Sequence, residues 1–367
     1  MTKEKMVYVM NVDWNWIKQR PQFLAEQLSD KYDLQVIYRY KYNRSELTKD
    51  ETKPLFKLTR IFTVPFINKL PFFARFNNLL FLLVVRFFVT LTKPSILYLT
   101  NPEQVDAIPR NYKGTVIYDC MDYHKAFIND KNSYNQLETK EKELLEQSNI
   151  VLFTSEDLRL KILRDYPLNY VNKTIEVVRN GYDGEVLEDN EILLHPRNIE
   201  ALKITYIGTV SHWFDFDIIK KIIEEFDFVT FDIIGPTSHI PLPEIDRVNY
   251  VGSVPHSELV SHVKNTDVLI MPFVVNEIVE AVDPVKLYEY INFNRDFLSV
   301  YYPEIDRFKE FGYLYSNFND IKQAIQTIRN NNELKYSSEM RLKFLESNKW
   351  SDRAIQIVKA IEKEDKK

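Results

Sequence analysis

Short apolar runs recur along this chain between amphipathic or charged stretches, and they come in two separate series. The first series is 6–10, 34–38, 95–99, 115–118, 150–153 and 174–178; the second is 202–207, 228–234, 248–251, 268–271 and 296–301. Runs this short and continuous are the pattern of strands buried on both faces, and the stretches between them have helical length. Such alternation implies parallel sheets flanked by helices. The acidic, loop-like run 183–198 separates the two series and reads as a linker. After 301 the pattern is helical only, at about 321–329, 336–346 and 352–363. The expected fold class is α/β, with two Rossmann-like domains facing across a cleft, residues 1–182 and 183–349, and a final helical segment, 350–367.

Composition narrows the function. A chain of 367 residues that is 45% hydrophobic can fill two cores. A formal charge of -5 argues against nucleic acid as a partner. The single cysteine, Cys120, excludes an internal disulfide and a Cys-cluster zinc site, and suits a reducing compartment. The first residues run directly into a strand pattern, so no secretory signal is read. With seven glycines and neither GxGxxG nor a Walker loop, a bound nucleotide has to be held by helix tips and side chains.

The segment 276–293 has that character. It follows the apolar run 268–271, closed by Pro272, and a carboxylate-rich loop. Asp283 is expected as N-cap and Pro284 at the first helical position. Val285 and Lys286 then lie in the first turn, where free amides and the positive end of the dipole attract anions. Glu289 falls on the same face one turn on. A phosphate would meet Lys286, and Glu289 could accept from sugar hydroxyls; the plain alternative is a capped surface helix with a Lys–Glu pair. At the end of run 202–207, Gly208 permits close backbone approach, while Thr209, Ser211 and His212 offer donors. Asp215 and Asp217 imitate a DxD metal motif but sit where a helix begins.

In the first half, the loop after run 6–10 carries Trp14, Trp16 and Arg20, an aromatic and cationic platform for an acceptor; core packing of both rings is the alternative. Asp122 and His124 follow run 115–118, and either could take a proton from an attacking hydroxyl. A capping role for Asp122 and a structural one for His124 remain open. No second His or Cys lies at ligand spacing, so no metal is expected. From 52 to 102 there are seven bases and no acid, interleaved with phenylalanines. The loop before the helix expected at about 72–92 suits an anionic bilayer surface, and the helix either does the same or packs on the sheet with its bases solvated. The longest apolar run, 79–85, is too short to span a bilayer.

Several phrases here resemble GT-B glycosyltransferases, in particular the family-4-like bacterial enzymes that build surface polysaccharides. They are Pro272-Phe273, Asn276 and the run from Pro284 to Tyr290, with Trp14, Trp16 and Arg20 to Leu24 near the start. The resemblance implies that Glu289 binds the donor ribose and that the helix tip, Pro284 to Lys286, holds the diphosphate. It implies donor contacts at Gly208 to His212 and a nucleobase resting near Gly252. The chain would leave the first domain near Asn180-Gly181, and the final helix would pack back on that domain. Where many members carry an earlier Glu, this chain has Ala281, between Glu280 and Asp283.

The function implied is transfer of a sugar from a nucleotide-sugar donor to a glycan or lipid-linked glycan acceptor, without metal or cofactor. Such an enzyme would work in the cytoplasm, peripheral at the inner face of the membrane through residues 52–93. Similarity to family 4 implies retention, whereas Asp122 as a base suits inversion. A catalytically weak subunit that activates a partner transferase, or a sugar-nucleotide epimerase, are the competing readings. Nothing in the sequence fixes an oligomeric state.

Overall fold

The first series of runs forms one sheet. In the computed structural model the described residues are 3–15, 18–40, 54–62, 71–128, 130–182, 184–188, 200–238, 240–255, 258–331 and 333–367. In chain order the first half contains β1 (Lys5–Met10), α1 (Arg20–Ser29), β2 (Asp33–Tyr40), β3 (Lys57–Phe62), α2 (Pro71–Thr92) and β4 (Ile96–Leu99). It continues with β5 (Thr115–Cys120), α3 (Lys131–Gln147), β6 (Ile150–Phe153), α4 (Glu156–Asp165) and β7 (Thr174–Val177). The strands pair in parallel in the order β3-β2-β1-β4-β5-β6-β7. β4 and β6 are buried at every residue, as strands covered by helices on both faces must be. Ser155 ends the loop before α4 by accepting from the Leu158 amide at 3.0 Å.

The second half repeats the plan with β8 (Leu202–Ile207), α5 (Phe216–Glu225), β9 (Val229–Ile234), β10 (Val248–Gly252), α6 (Leu259–Lys264) and β11 (Val268–Met271). After these come α7 (Glu277–Glu280), α8 (Val285–Asn292), β12 (Asp296–Val300), β13 (Tyr313–Tyr315), α9 (Phe318–Asn330) and α10 (Ser338–Glu346). Its parallel order is β10-β9-β8-β11-β12-β13. Asp215, the first half of the DxD look-alike, caps α5 through the Ile218 amide at 3.0 Å.

The chain divides into two compact units, Met1–Gly181 with Trp350–Lys367, and Tyr182–Lys349. The C-terminal helix (Trp350–Glu364) belongs to the first because of its apolar face. Trp350, Ala354, Ile357, Ala360 and Ile361 enter the core around Met6, Leu24 and Leu28, and Trp350 stacks on Phe23 at 5.1 Å. Burying each large side chain of this kind contributes about 1.5–3 kcal/mol.

Three expectations need correction. Part of the presumed loop before α2 is β3, the edge strand of the first sheet, whose mixed burial hides it from an apolar-run reading. The region after 301 is not helical only, because β13 closes the edge of the second sheet. Pro284, not Asp283, is the N-cap of α8. Of the expected linker, residues 183 and 189–198 lie outside the described residues, as does Trp16.

Candidate functional site

In open parallel sheets, ligands bind beyond the carboxyl ends of the strands, where the strand order reverses. In the second unit that point lies between β8 and β11, since β9 and β10 extend one way and β12 and β13 the other. The loop after β8 carries Gly208, Thr209, Ser211 and His212. The loop after β11 leads through α7 to α8 and Lys286. The fold therefore brings together two stretches that are more than seventy residues apart in sequence.

Hydrogen bonds knit these loops. The Gly208 amide donates to Ile234 O at 2.8 Å, Val210 N to Pro236 O at 2.9 Å, Asp215 N to Pro272 O at 2.9 Å, and Val274 N to Trp213 O at 2.8 Å. Gly208 has φ +144°, and a Cβ there would stand 2.1 Å from Lys286 Cε and 2.7 Å from its Nζ. Gly235, φ +141°, lies equally close, its imagined Cβ 2.1 Å from Gly208 O. A side chain at Gly208 would displace the end of Lys286, and one at Gly235 would collide with the Gly208 backbone; both positions also have a positive φ that favours glycine.

Tyr290 fixes α8 in place, one turn beyond Lys286. Its hydroxyl donates to Ile270 O at 2.9 Å and accepts from the Ile207 amide at 3.3 Å, joining the helix to β11 and β8. Lys286 is held partly buried between two rings, with Nζ 5.9 Å from the centre of Tyr206 and 5.7 Å from that of Phe273. Burial lowers its pKa, and the charge of Glu289 opposes that shift in part. The ammonium thus sits at the tip of an eight-residue helix, desolvated and facing aromatic rings. Its charge, the helix dipole and its position make it a candidate anion site.

The other expected donor residues lie on the same helix, on the loop after β8 and at the end of β10. Glu289 is partly buried on the same helix, Pro284 is buried as its cap, and Val285 is exposed. Ser211 is buried, with Oγ 3.2 Å from His212 Nδ1; His212 is exposed and meets Trp213 edge-on at 4.8 Å. Thr209 is partly buried, and its carbonyl accepts from the Tyr206 hydroxyl at 2.8 Å. Gly252 ends β10, two strands from Gly208, with open space beside it. Asp283 cannot stand in for the missing earlier Glu, since it is buried and bonded to Arg307 and, at 3.5 Å, to the Tyr288 hydroxyl. Ala281, at that Glu position, is buried at the end of α7. Arg307 and Tyr206 escaped the sequence reading, in which Phe273 and Tyr290 figure only as parts of a motif and have no role. Each acts through residues distant along the chain, and their type alone gives no signal.

In the first unit the strand order reverses between β1 and β4. Trp14, in the loop after β1, is partly buried against the core and edge-on to Phe56 at 5.3 Å. Arg20 is not part of an exposed cationic platform, because its guanidinium is buried. It pairs with Asp119 through two bonds of 2.9 and 2.8 Å and donates to Val178 O and Arg179 O at 2.8 and 3.1 Å. Asp119 also accepts from the Tyr98 hydroxyl at 2.9 Å. The Asp119 charge favours the charged guanidinium, and the Arg20 pKa rises further despite burial.

Asp122 lies just beyond β5 and is exposed; its carbonyl, not its carboxylate, accepts from the His124 amide at 3.0 Å. It caps no helix, the cap of the following 3-10 turn (His124–Phe127) being Tyr123. His124 is partly buried, and its Nε2 has no hydrogen-bond partner among the described residues. No group of three or more His, Cys, Asp or Glu suited to a metal occurs among the described residues.

With this geometry in hand, similarity to known proteins can be weighed. No family model matches the chain. Sucrose-phosphate synthase from Thermosynechococcus elongatus superposes with a TM-score of 0.72 at 13% identity, covering 98% of this chain and 99% of that one. HepE of Anabaena, solved in complex with UDP, superposes at 0.67 and 10% identity, covering 98% and 100%. The chain has the GT-B glycosyltransferase fold. In sequence it is 23% identical over 265 residues to TuaH of Bacillus subtilis strain 168, provisionally named a teichuronic acid biosynthesis glycosyltransferase. That match covers 66% of this chain and 66% of TuaH. Within the GT-B frame, Lys286 and Gly208 occupy the switch point of the second sheet.

Proposed function

We propose that this protein is a glycosyltransferase that moves a sugar from a nucleotide-sugar donor to a glycan or lipid-linked glycan acceptor in surface-polysaccharide synthesis. The observation that carries the reading is the seat of Lys286, at the tip of α8 and pressed against Gly208 at the switch point of the second sheet. The name of TuaH and the UDP-glucose bound in a HepE structure point the same way. The donor lies on the second unit, its diphosphate at Lys286 and the amides opening α8, its ribose at Glu289 and its nucleobase near Gly252.

As the glycosidic bond stretches, negative charge grows on the leaving diphosphate. A desolvated ammonium and a helix tip, both fixed beforehand, stabilise that charge with little reorganisation. No metal or other cofactor is needed for this step. Ser211 and His212 supply further donors to the phosphates. In the first unit, Trp14 supplies apolar surface for the acceptor. Asp122, exposed beyond β5, is the candidate base for the acceptor hydroxyl, with His124 two residues on as the next candidate. The protein works in the cytoplasm, held peripherally at the inner face of the membrane through residues 52–93.

The experiment is a panel of nucleotide sugars screened for thermal stabilisation, then incubated with lipid-linked acceptors and followed by mass spectrometry. A stabilising donor whose sugar reaches an acceptor supports transfer; a released free isomer supports an epimerase. Donor binding without turnover by the wild type would favour an activating subunit, the reading that the buried Ala281 in place of a Glu supports. Asp122→Asn keeps the shape and removes basicity. It should lower transfer by roughly 10²–10⁴-fold with donor affinity intact. Transfer at the wild-type rate would move the base elsewhere.

A further inference from the structure

Helix α2 carries two opposite apolar faces, and only one of them is used by the fold. At about 100° per residue, Asn77, Phe81, Val85 and Val89 share one face. All four are buried, and Phe81 packs under the Arg39 guanidinium at 4.4 Å. Phe76, Leu79, Leu80, Leu83, Phe87 and Leu91 fall on the opposite face and are exposed, Phe87 and Leu91 by 64% and 67%. A contiguous row of six large apolar side chains is more than a single soluble chain ordinarily leaves in water.

Charge is arranged along the same helix. Arg75 and Arg86 lie on one flank of the exposed row, and Lys93 follows just past the helix end. No acidic residue occurs from 52 to 102, within a chain of net charge -5. The row therefore has a basic border, and the acids nearest it come from other elements. Asp130 has its carboxyl pKa lowered chiefly by the Ser133 amide and in small part by Arg75; Asp106 accepts from Arg86 through its carbonyl at 3.5 Å, while its carboxylate pairs with Lys140. A second copy of the chain meeting this face would bring the same basic border. Anionic headgroups above an acyl layer match both halves of the pattern.

The segment Arg75–Thr92 is, by length and composition, apolar enough to cross a bilayer, unlike the shorter uninterrupted run read from the sequence. Topology forbids a crossing. β3 before it and β4 after it are strands of one sheet, β3 paired with β2 and β4 with β1. A single crossing would place them on opposite sides of the membrane.

We propose that α2 lies in the plane of an anionic bilayer surface, its outer apolar row in the acyl boundary and its basic flank against the headgroups. This rests on the membrane location proposed above and gives it a specific face and orientation. The test is flotation of the full chain with vesicles of phosphatidylglycerol and phosphatidylcholine, compared with phosphatidylcholine alone. Wild type should float with the anionic vesicles. Leu83→Gln with Phe87→Gln and Leu91→Gln should reduce binding at least about tenfold at every salt concentration. Arg75→Gln with Lys93→Gln should remove only the salt-sensitive part.

UDP affinity, measured on the same samples, should be unchanged in both variants and reports that they are folded. If the apolar variant floats as well as wild type, the α2 face is overturned while membrane binding survives. Should wild type ignore vesicles, and light scattering show a dimer that the apolar variant dissolves, the face joins copies of the chain and both readings fail. Resistance to alkaline extraction would overturn the in-plane orientation.

Discussion

Arg20 and Lys286 sit at matching places, each opening a helix beside the strand-order reversal of its own sheet, and the fold treats them in opposite ways. Arg20 is enclosed with a carboxylate and two backbone carbonyls, so its charge is spent on the protein itself. Lys286 is desolvated among rings, and no ion pair joins it to a carboxylate among the described residues. A cation met by a buried acid organises structure; a cation denied one is suited to an anionic ligand. Both residues looked like ligand contacts in sequence, and only their surroundings tell them apart.

The sharpest way to break this contrast is to remove Arg20. Arg20→Ala leaves Asp119 buried and unpaired, which typically costs about 3–5 kcal/mol. Urea unfolding followed by fluorescence should show the transition of the first unit moving to much lower denaturant. Asp119→Ala should do the same, while the double variant Arg20→Met with Asp119→Leu recovers most of the loss. An Arg20→Ala protein as stable as wild type but impaired in acceptor use would return Arg20 to the ligand-binding role.

Lys286 should behave in the reverse manner. Lys286→Ala should weaken UDP binding by about 1.5–3 kcal/mol, the usual worth of a charge-assisted bond. Stability should be unchanged or slightly raised, because the folded protein no longer holds a desolvated ammonium. Glu289→Ala should lower affinity by a similar amount through the ribose. Calorimetric titration with UDP reads both, and unchanged affinity in two folded variants would sink the donor assignment.

The contrast also marks how far the sequence could be read. Strands at 150–153 and 268–271 have the same bounds in the structure, because complete burial writes an unbroken apolar run; 202–207 also keeps its bounds, although Lys203 and Thr205 interrupt its apolar residues. Edge strand β3 was missed because its exposed side lets polar residues in, and β13 because it is only three residues long. The place of Lys286 in the first turn of a helix was legible because Asp-Pro ahead of it is a local pattern. Arg20 was misread because Asp119 lies 99 positions away, and no local pattern announces such a partner. Asp283 was misread as a cap for the same reason, its Arg307 lying beyond the next strand.

The smallest effect expected is also the most specific to Lys286. Burial holds its pKa below the ordinary lysine value in the free protein, and a bound diphosphate supplies the missing negative charge and raises it again. Below the lowered pKa both free and bound forms carry the proton, so affinity does not change with pH. Between the lowered value and the raised one, the free protein has lost a proton that the complex retains. UDP binding in that window must take up a proton, and affinity must fall as pH rises, by at most about tenfold per pH unit for one group. The free protein changes the other way. Its folded pKa lies below the unfolded one, so the desolvation cost is present in full below the lowered value and is relieved as pH climbs from there towards the unfolded one. Calorimetry in buffers of different ionisation enthalpy measures the uptake directly. Lys286→Met should abolish it and flatten the affinity profile, whereas Arg20, whose pKa is raised by its own carboxylate, contributes nothing in the same range. Equal proton uptake in wild type and Lys286→Met would assign the titration to another group and separate the anion site from this lysine.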